Sequence, residues 1–268
     1  MPSILEVDYA QPTGLRPLSL DLRTPETQGA PLIVFLHGGG WLRGSRRVFT
    51  PGISDAQSFD RIVAAGFAVA SCEYRLSGEG RFPAQLDDVE AAIDWLHANG
   101  AGYGVDTGRL VLWGVSAGAT LAALTGLRRN DVRGVVDWFG PADLFDMAEH
   151  ASDEASADTR EARWLGAPAA ELPDAARRAS PTLQAHAGAP PFHIAHGTAD
   201  EHVPFGQSEG LAAALRAVGA DVEFHPVLDG RHFWDGLEET ARVFDPAIEF
   251  ATRVTATTGT GHPKEASP

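Results

Sequence analysis

Short apolar, β-branched runs recur along the chain between longer stretches of helical period, the pattern of strands alternating with crossover helices around a largely parallel sheet. Strands are expected at Leu18–Leu22, Leu32–Leu36, Ala68–Glu73, Leu110–Gly114, Gly134–Phe139, Phe192–His196 and Val222–Leu228, with two early strands preceding the parallel series. The strongest helical pattern runs from Pro83 to Ala98. There Leu86, Val89, Ile93 and Leu96 repeat at three and four along one face, with Pro83 opening the segment and Asn99-Gly100 closing it. Further helices are expected at Ala56–Ala65, Ala117–Leu127, Gln207–Val218 and Leu237–Ala251. The alternation implies an α/β chain: a mostly parallel twisted sheet of about eight strands with helices on both faces.

The periodicity weakens between Gly140 and Pro190, where Glu149 to Asp158 is polar and reads as a solvated loop or small helical insertion. Residues 255–268 carry no apolar period and are expected to form a disordered tail behind a single domain over residues 1–254.

Composition narrows the function classes. The 268 residues are 44% hydrophobic and 21% charged, which suits a globular protein with a buried core. A formal net charge of −15 opposes binding to nucleic acid or to an anionic membrane surface. Cys72, the single cysteine, excludes an internal disulfide and a thiolate-rich metal site, and its apolar run marks it as a buried strand residue. No basic segment followed by a long apolar stretch opens the chain, so a cytoplasmic location is expected.

The sharpest chemical signal is Leu110-Val-Leu-Trp-Gly114-Val115-Ser116-Ala117-Gly118, a buried strand running into Gly-x-Ser-x-Gly and then an Ala/Leu-rich helix. A serine on such a strand-to-helix turn projects its hydroxyl beyond the sheet, as a nucleophile requires. A second signal, His37-Gly38-Gly39-Gly40-Trp41, follows an apolar strand. Backbone N–H groups of Gly38 and Gly39, joined by that of Ala117, are placed to stabilise the oxyanion of a tetrahedral intermediate. The loop lacks the Gly-Lys-Ser/Thr and Gly-x-Gly-x-x-Gly patterns of nucleotide sites.

A serine hydroxyl needs a base to take its proton and a carboxylate to orient that base. Asp200 follows the strand at Phe192–His196, and His232 lies in the loop after the last expected strand, so both reach the carboxyl edge of the sheet. His202 is the rival base, with Asp143 and Glu201 as rival acids. His37 is expected to fix the glycine loop rather than transfer protons, and His97, His150 and His262 to face solvent. His193, His196 and His202 lack a metal-site spacing, and a strand turns His193 and His196 to opposite faces; no metal and no cofactor is expected.

Six ordered motifs carry a family resemblance: His37-Gly-Gly-Gly-Trp41, Glu73-Tyr-Arg-Leu76, Phe82-Pro-Ala-Gln-Leu-Asp-Asp88, Gly114-Val-Ser-Ala-Gly118, His196-Gly-Thr-Ala-Asp200 with Val203-Pro204, and Gly230-Arg-His232-Phe. Over residues 30–250 the chain resembles the α/β-hydrolase superfamily, and within it the hormone-sensitive-lipase-like esterases and compact feruloyl and acetyl esterases. The resemblance implies Ser116 as nucleophile with Asp200 and His232 as partners, Gly38, Gly39 and Ala117 as oxyanion donors, and a small-molecule ester as substrate, of short-chain acyl or aryl type. Trp41, Val203 and Phe233 are expected to wall the substrate pocket. Gly114-Val-Ser departs from the Gly-Asp-Ser common in the lipase-like group, and a small lid over residues 143–181 stands in for the usual large cap. Kynurenine formamidases share the His-Gly-Gly-x-Trp loop, so an arylformamide is a competing substrate; a non-catalytic ligand-binding protein is the reading from another class. Arg75 is expected to pair with Asp87 or Asp88.

Overall fold

The computed structural model describes residues 4–150 and 158–257. Eight strands form one sheet: β1 (Ile4–Ala10), β2 (Leu18–Arg23), β3 (Ala30–Leu36), β4 (Ala68–Cys72), β5 (Val105–Val115), β6 (Val132–Trp138), β7 (Phe192–Gly197) and β8 (Val222–Val227). Their spatial order is β1-β2-β4-β3-β5-β6-β7-β8. β2 runs antiparallel to both β1 and β4, and every pair from β4 to β8 is parallel. The expected mostly parallel sheet is therefore present, and all seven expected strands coincide with observed ones. β1 lies outside those seven. Its Ile4 and Leu5 face solvent, so no buried apolar run marks it.

Parallel pairing needs crossovers, and these put helices on both faces. On one face, α2 (Ala84–Asn99), α3 (Ala117–Arg128) and α7 (Gly206–Ala217) pack Leu86, Ile93, Leu121, Leu124, Leu211 and Leu215 against the sheet. On the other, α1 (Phe59–Ala64) and α8 (Ala241–Thr255) cover Val69, Val111, Trp113 and Val136 with Phe59, Ile62, Phe244 and Phe250. Between β6 and β7 the chain forms α4 (Leu144–Glu149), α5 (Arg160–Leu165) and α6 (Pro173–Arg178). Most of the segment expected to be a solvated loop, residues 151–157, lies outside the described residues.

Both boundaries of the last helix differ from expectation. The last helix begins at Ala241 rather than Leu237, because Trp234 to Leu237 forms a turn closed by the Leu237 N–H on the Trp234 carbonyl. Its end moves correspondingly to Thr255, whose side chain is buried and donates to the Ala251 carbonyl at 2.7 Å, so Thr255 belongs to the folded body rather than to a tail. The expected tail beyond it lies outside the described residues from 258 onward.

Arg75 clamps the loop after β4 onto α2. Its guanidinium donates to both carboxylate oxygens of Asp88 at 2.6–2.9 Å and to the Ala84 carbonyl at 3.0 Å, and its backbone N–H adds a 2.8 Å bond to Asp88 Oδ2. Asp88 is buried, so Arg75→Met strands a carboxylate away from bulk water. The variant is expected to lose about 2–4 kcal/mol of stability, read by chemical denaturation. An unchanged unfolding midpoint would show that the clamp contributes nothing.

Candidate active site

The carboxyl ends of β5, β7 and β8 converge on one cluster of polar side chains. β5 ends at Val115 and α3 starts at Ala117, which leaves Ser116 alone to turn the chain at φ 54°, ψ −123°. A non-glycine residue in this region is strained, and neighbours hold it in place. Its N–H donates to the Trp138 carbonyl at 2.9 Å, and its carbonyl accepts from Ala119 at 2.8 Å. The flanking glycines permit the tight turn: a Cβ on Gly114 would overlap the Gly118 backbone, and one on Gly118 would overlap the carbonyl of Leu36. The turn thus presses against the end of β3, where the glycine loop starts.

Ser116 Oγ lies 3.0 Å from His232 Nε2, and His232 Nδ1 lies 2.6 Å from Asp200 Oδ2. Both Ser116 and His232 are buried, and the Asp200 side chain has no solvent exposure. Since the carboxylate only accepts, His232 carries its proton on Nδ1 and presents an unprotonated Nε2 to the serine hydroxyl. Burial pulls the His232 pKa below its ordinary 6.5, and His202 and His196 push the same way against the opposing pull of Asp200. The imidazole is therefore neutral at pH 7.

Asp200 is held from three sides. Its Oδ1 accepts the N–H groups of His202 at 2.8 Å and Val203 at 2.9 Å. His196 Nε2 lies 3.1 Å from Oδ2 and 3.1 Å from the Val203 carbonyl; because both neighbours are acceptors, Nε2 carries the proton, and Nδ1 accepts from Ser208 Oγ at 2.8 Å. Burial raises the Asp200 pKa, but the hydrogen bonds from His196 and His232 outweigh it and hold the carboxyl well below the usual range. His196 is a positioning group that the sequence pattern left inside a strand end without a role.

The glycine loop is fixed by His37 and Tyr74. Tyr74 donates its hydroxyl to the His37 carbonyl at 2.7 Å, the two rings stack at 4.3 Å, and His37 Nδ1 donates to the Gly38 carbonyl at 2.7 Å. Burial lowers the His37 pKa to about 4, so the ring stays neutral and structural, in the place expected of it. Gly38 abuts the Ser116 turn: a Cβ there would sit 3.2 Å from Ser116 Cβ. Among the described residues, no loop backbone hydrogen bond uses the N–H of Gly38 or Gly39. Ala117 opens α3, so its N–H has no intrahelical acceptor.

Ser116 opens into a cavity of about 470 Å³, with Phe233, Phe49, Val48 and Leu42 among its walls. Phe233 lies where the sequence places it. Trp41 and Val203 do not. Trp41 turns at φ 57° and stacks on Trp164 of α5 at 4.1 Å, which seats the β6–β7 insertion on the glycine loop; Val203 is buried and offers its backbone to Asp200 and His196. Neither side chain lines the cavity.

Of the rival groups, His202 is exposed, with its ring 5.2 Å from that of His232, and it contacts Asp200 through its backbone. Asp143 caps α4, accepting the Phe145 N–H at 2.9 Å. Away from the site, the parallel pairing of β7 with β8 brings donor atoms of His193, Glu223 and His225 within 4.8 Å of one another, a set that spacing along the chain does not suggest. The Arg253 guanidinium already holds the other oxygen of Glu223 at 2.7 Å and supplies a positive charge there.

One carboxylate stands apart. Asp137 is buried at the end of β6 with the Gly140 N–H at 3.1 Å as its partner, and burial raises its pKa to about 6. A folded-state pKa above the unfolded value means that ionisation costs stability as pH rises through that interval, and the cost persists above it. Asp137→Asn is therefore expected to gain on the wild type by on the order of 3 kcal/mol between about pH 4 and pH 8, measured by denaturant unfolding at both. A difference that does not change with pH would refute the assignment.

Comparison with known proteins bears on the family and the fold. The BD-FAE family model matches residues 20–215. Esterase LipQ of Mycobacterium tuberculosis is 33% identical over 230 residues, covering 80% of this chain and 52% of its own length. The chain spans about half the length of the curated relatives it matches. Among solved structures, a truncated carbohydrate esterase from gut microbiota superposes with a TM-score of 0.82 at 27% identity, over 94% of this chain and 95% of that one. A thermophilic esterase from Thermogutta terrifontis, at 22% identity and a TM-score of 0.76 over 97% of this chain and 95% of its own, shares the fold. No helix among the described residues is long and apolar enough to cross a membrane. With the family model spanning the sheet from β2 to β7 and the Ser116 turn within it, the chain belongs to the BD-FAE family, built on an α/β-hydrolase fold.

Proposed function

We propose that this protein hydrolyses carboxylic esters, with Ser116 as nucleophile, His232 as general base and Asp200 as its orienting acid. The observation that carries the reading is the continuous relay from Ser116 Oγ through His232 to Asp200, at 3.0 and 2.6 Å. His232 Nε2 takes the hydroxyl proton as Oγ attacks the acyl carbon. The tetrahedral oxyanion is met by the N–H groups of Gly38, Gly39 and Ala117, donors of a kind worth a few kcal/mol each when preorganised. Collapse breaks the bond to the alkoxide, which leaves with the proton from His232. A water molecule then repeats the sequence on the acyl-enzyme and releases the acid. The names of the relatives, esterases and a carbohydrate esterase, support the same bond class.

The small cavity and its aromatic walls favour short acyl or aryl esters over long chains. The test is initial hydrolysis of para-nitrophenyl esters from acetyl to decanoyl beside an aryl formamide, for wild type and a Ser116→Ala blank. Turnover of the short esters, falling with chain length and absent in the blank, is expected. Turnover of the formamide alone would replace this reading with an arylformamidase; ligand binding with no turnover of any substrate would point to a binding protein.

A further inference from the structure

Arg43 and Arg160 line the Ser116 cavity together with two imidazoles, glycines, apolar side chains and small hydroxyls, and among the described residues no Asp or Glu lines it. This is unexpected in a chain of net charge −15. The neighbouring depression differs: Glu201 and Asp235 border it together with Arg231.

The stems of both arginines pack on the glycine loop. The aliphatic part of Arg160 lies over Gly40, where a Cβ would overlap its Cδ and come within 3.0 Å of its Cγ. Arg43 folds back on the loop through its N–H to the Gly39 carbonyl at 3.3 Å, and a Cβ on Gly39 would meet its Cγ at 3.3 Å. Elsewhere, Arg16, Arg46, Arg75 and Arg129 each hold carboxylates of the protein itself. Among the described residues, no carboxylate forms an ion pair with Arg43 or Arg160. Two arginines that line a cleft and have no ion-pair partner among the described residues match a planar, bidentate anion from the substrate.

We propose that the Ser116 cavity selects esters carrying a second, ionised carboxylate, which Arg43 and Arg160 hold while the ester carbonyl sits at Ser116. The inference rests on the ester-hydrolase reading and adds the substrate class. The carboxylate belongs either to the acyl group, as in a monoester of a dicarboxylic acid, or to the alcohol, as in an acylated hydroxybenzoate; the chemistry recognised is the same.

Two isosteric pairs test it. For the alcohol side, kcat and KM are measured on para-acetoxybenzoate and on para-acetoxybenzamide. For the acyl side, the pair is mono-para-nitrophenyl adipate and para-nitrophenyl hexanoate. In wild type, at least one anionic ester should exceed its neutral isostere in kcat/KM by about tenfold or more, mainly through KM, and the pair that does so identifies the side. The ratio should fall towards one in the Arg43→Gln/Arg160→Gln double variant and in molar sodium chloride, while Arg160→Lys keeps part of it. Ratios near one for both pairs in wild type, with the neutral esters turned over and Ser116→Ala dead, would overturn this inference and leave the esterase reading standing. A preference that survives the double variant would also overturn it. Failure of all four esters would remove both.

Discussion

Ser116→Ala is expected to lower turnover of a short para-nitrophenyl ester by about a millionfold while leaving the fold intact. The hydroxyl has one hydrogen-bond partner among the described residues, His232 Nε2, so its removal breaks no structural contact beyond the relay. The backbone at φ 54° is strained for serine and alanine alike, since both carry a Cβ, so the turn itself is little altered. The donors at Gly38, Gly39 and Ala117 would persist and should leave about a thousandfold rate enhancement over water, as when other triads lose their nucleophile. Turnover in a rigorously purified variant and a thermal melt make the check. Retention of even about one per cent of wild-type activity would exclude Ser116 as the nucleophile.

Asp200→Asn should cost about ten-thousandfold in kcat, for a reason specific to how this carboxylate is held. Oδ1 accepts two backbone N–H groups, from His202 and Val203, so the amide oxygen of an asparagine must take that position. The amide nitrogen then replaces Oδ2 and points its hydrogens at His232 Nδ1 and His196 Nε2. His232 must accept there, which moves its own proton to Nε2, where it can no longer receive one from Ser116. Asp200 also raises the His232 pKa against the depressing effect of burial. In wild type, kcat/KM should therefore rise with pH along an acid limb centred below 6.5, and in Asp200→Asn that limb should lie lower still, because the depressing contributions remain and the supporting one is gone. A limb that stays in place would separate Asp200 from the base.

The nucleophile turn, its glycine loop and the order of the three polar residues are legible in the linear chain because each obeys a local rule. A buried strand must end before a sharp turn, and a small-residue helix must follow. The pocket walls are not legible in the same way. Trp41 has the composition of a cavity wall, yet its positive φ and its stack on Trp164, far away in sequence, turn it into the insertion's support. Val203 acts through its backbone, which its side chain does not advertise. His196 looks like one more strand residue until Asp200 and Ser208 are seen on either side of its ring.

By itself the sequence determined the alternation of strands and helices, the strand-to-helix turn at Ser116, and the candidates for base and acid, since all of these follow from periodicity and short-range backbone geometry. Only the tertiary structure decided which histidine reaches Ser116, which carboxylate Arg75 grips, and which charges face the cavity. Those outcomes depend on the register of parallel strands and on loops joining at one sheet edge from distant points in the chain. Side-chain direction there is set by packing between segments, and one residue's own preference cannot encode it.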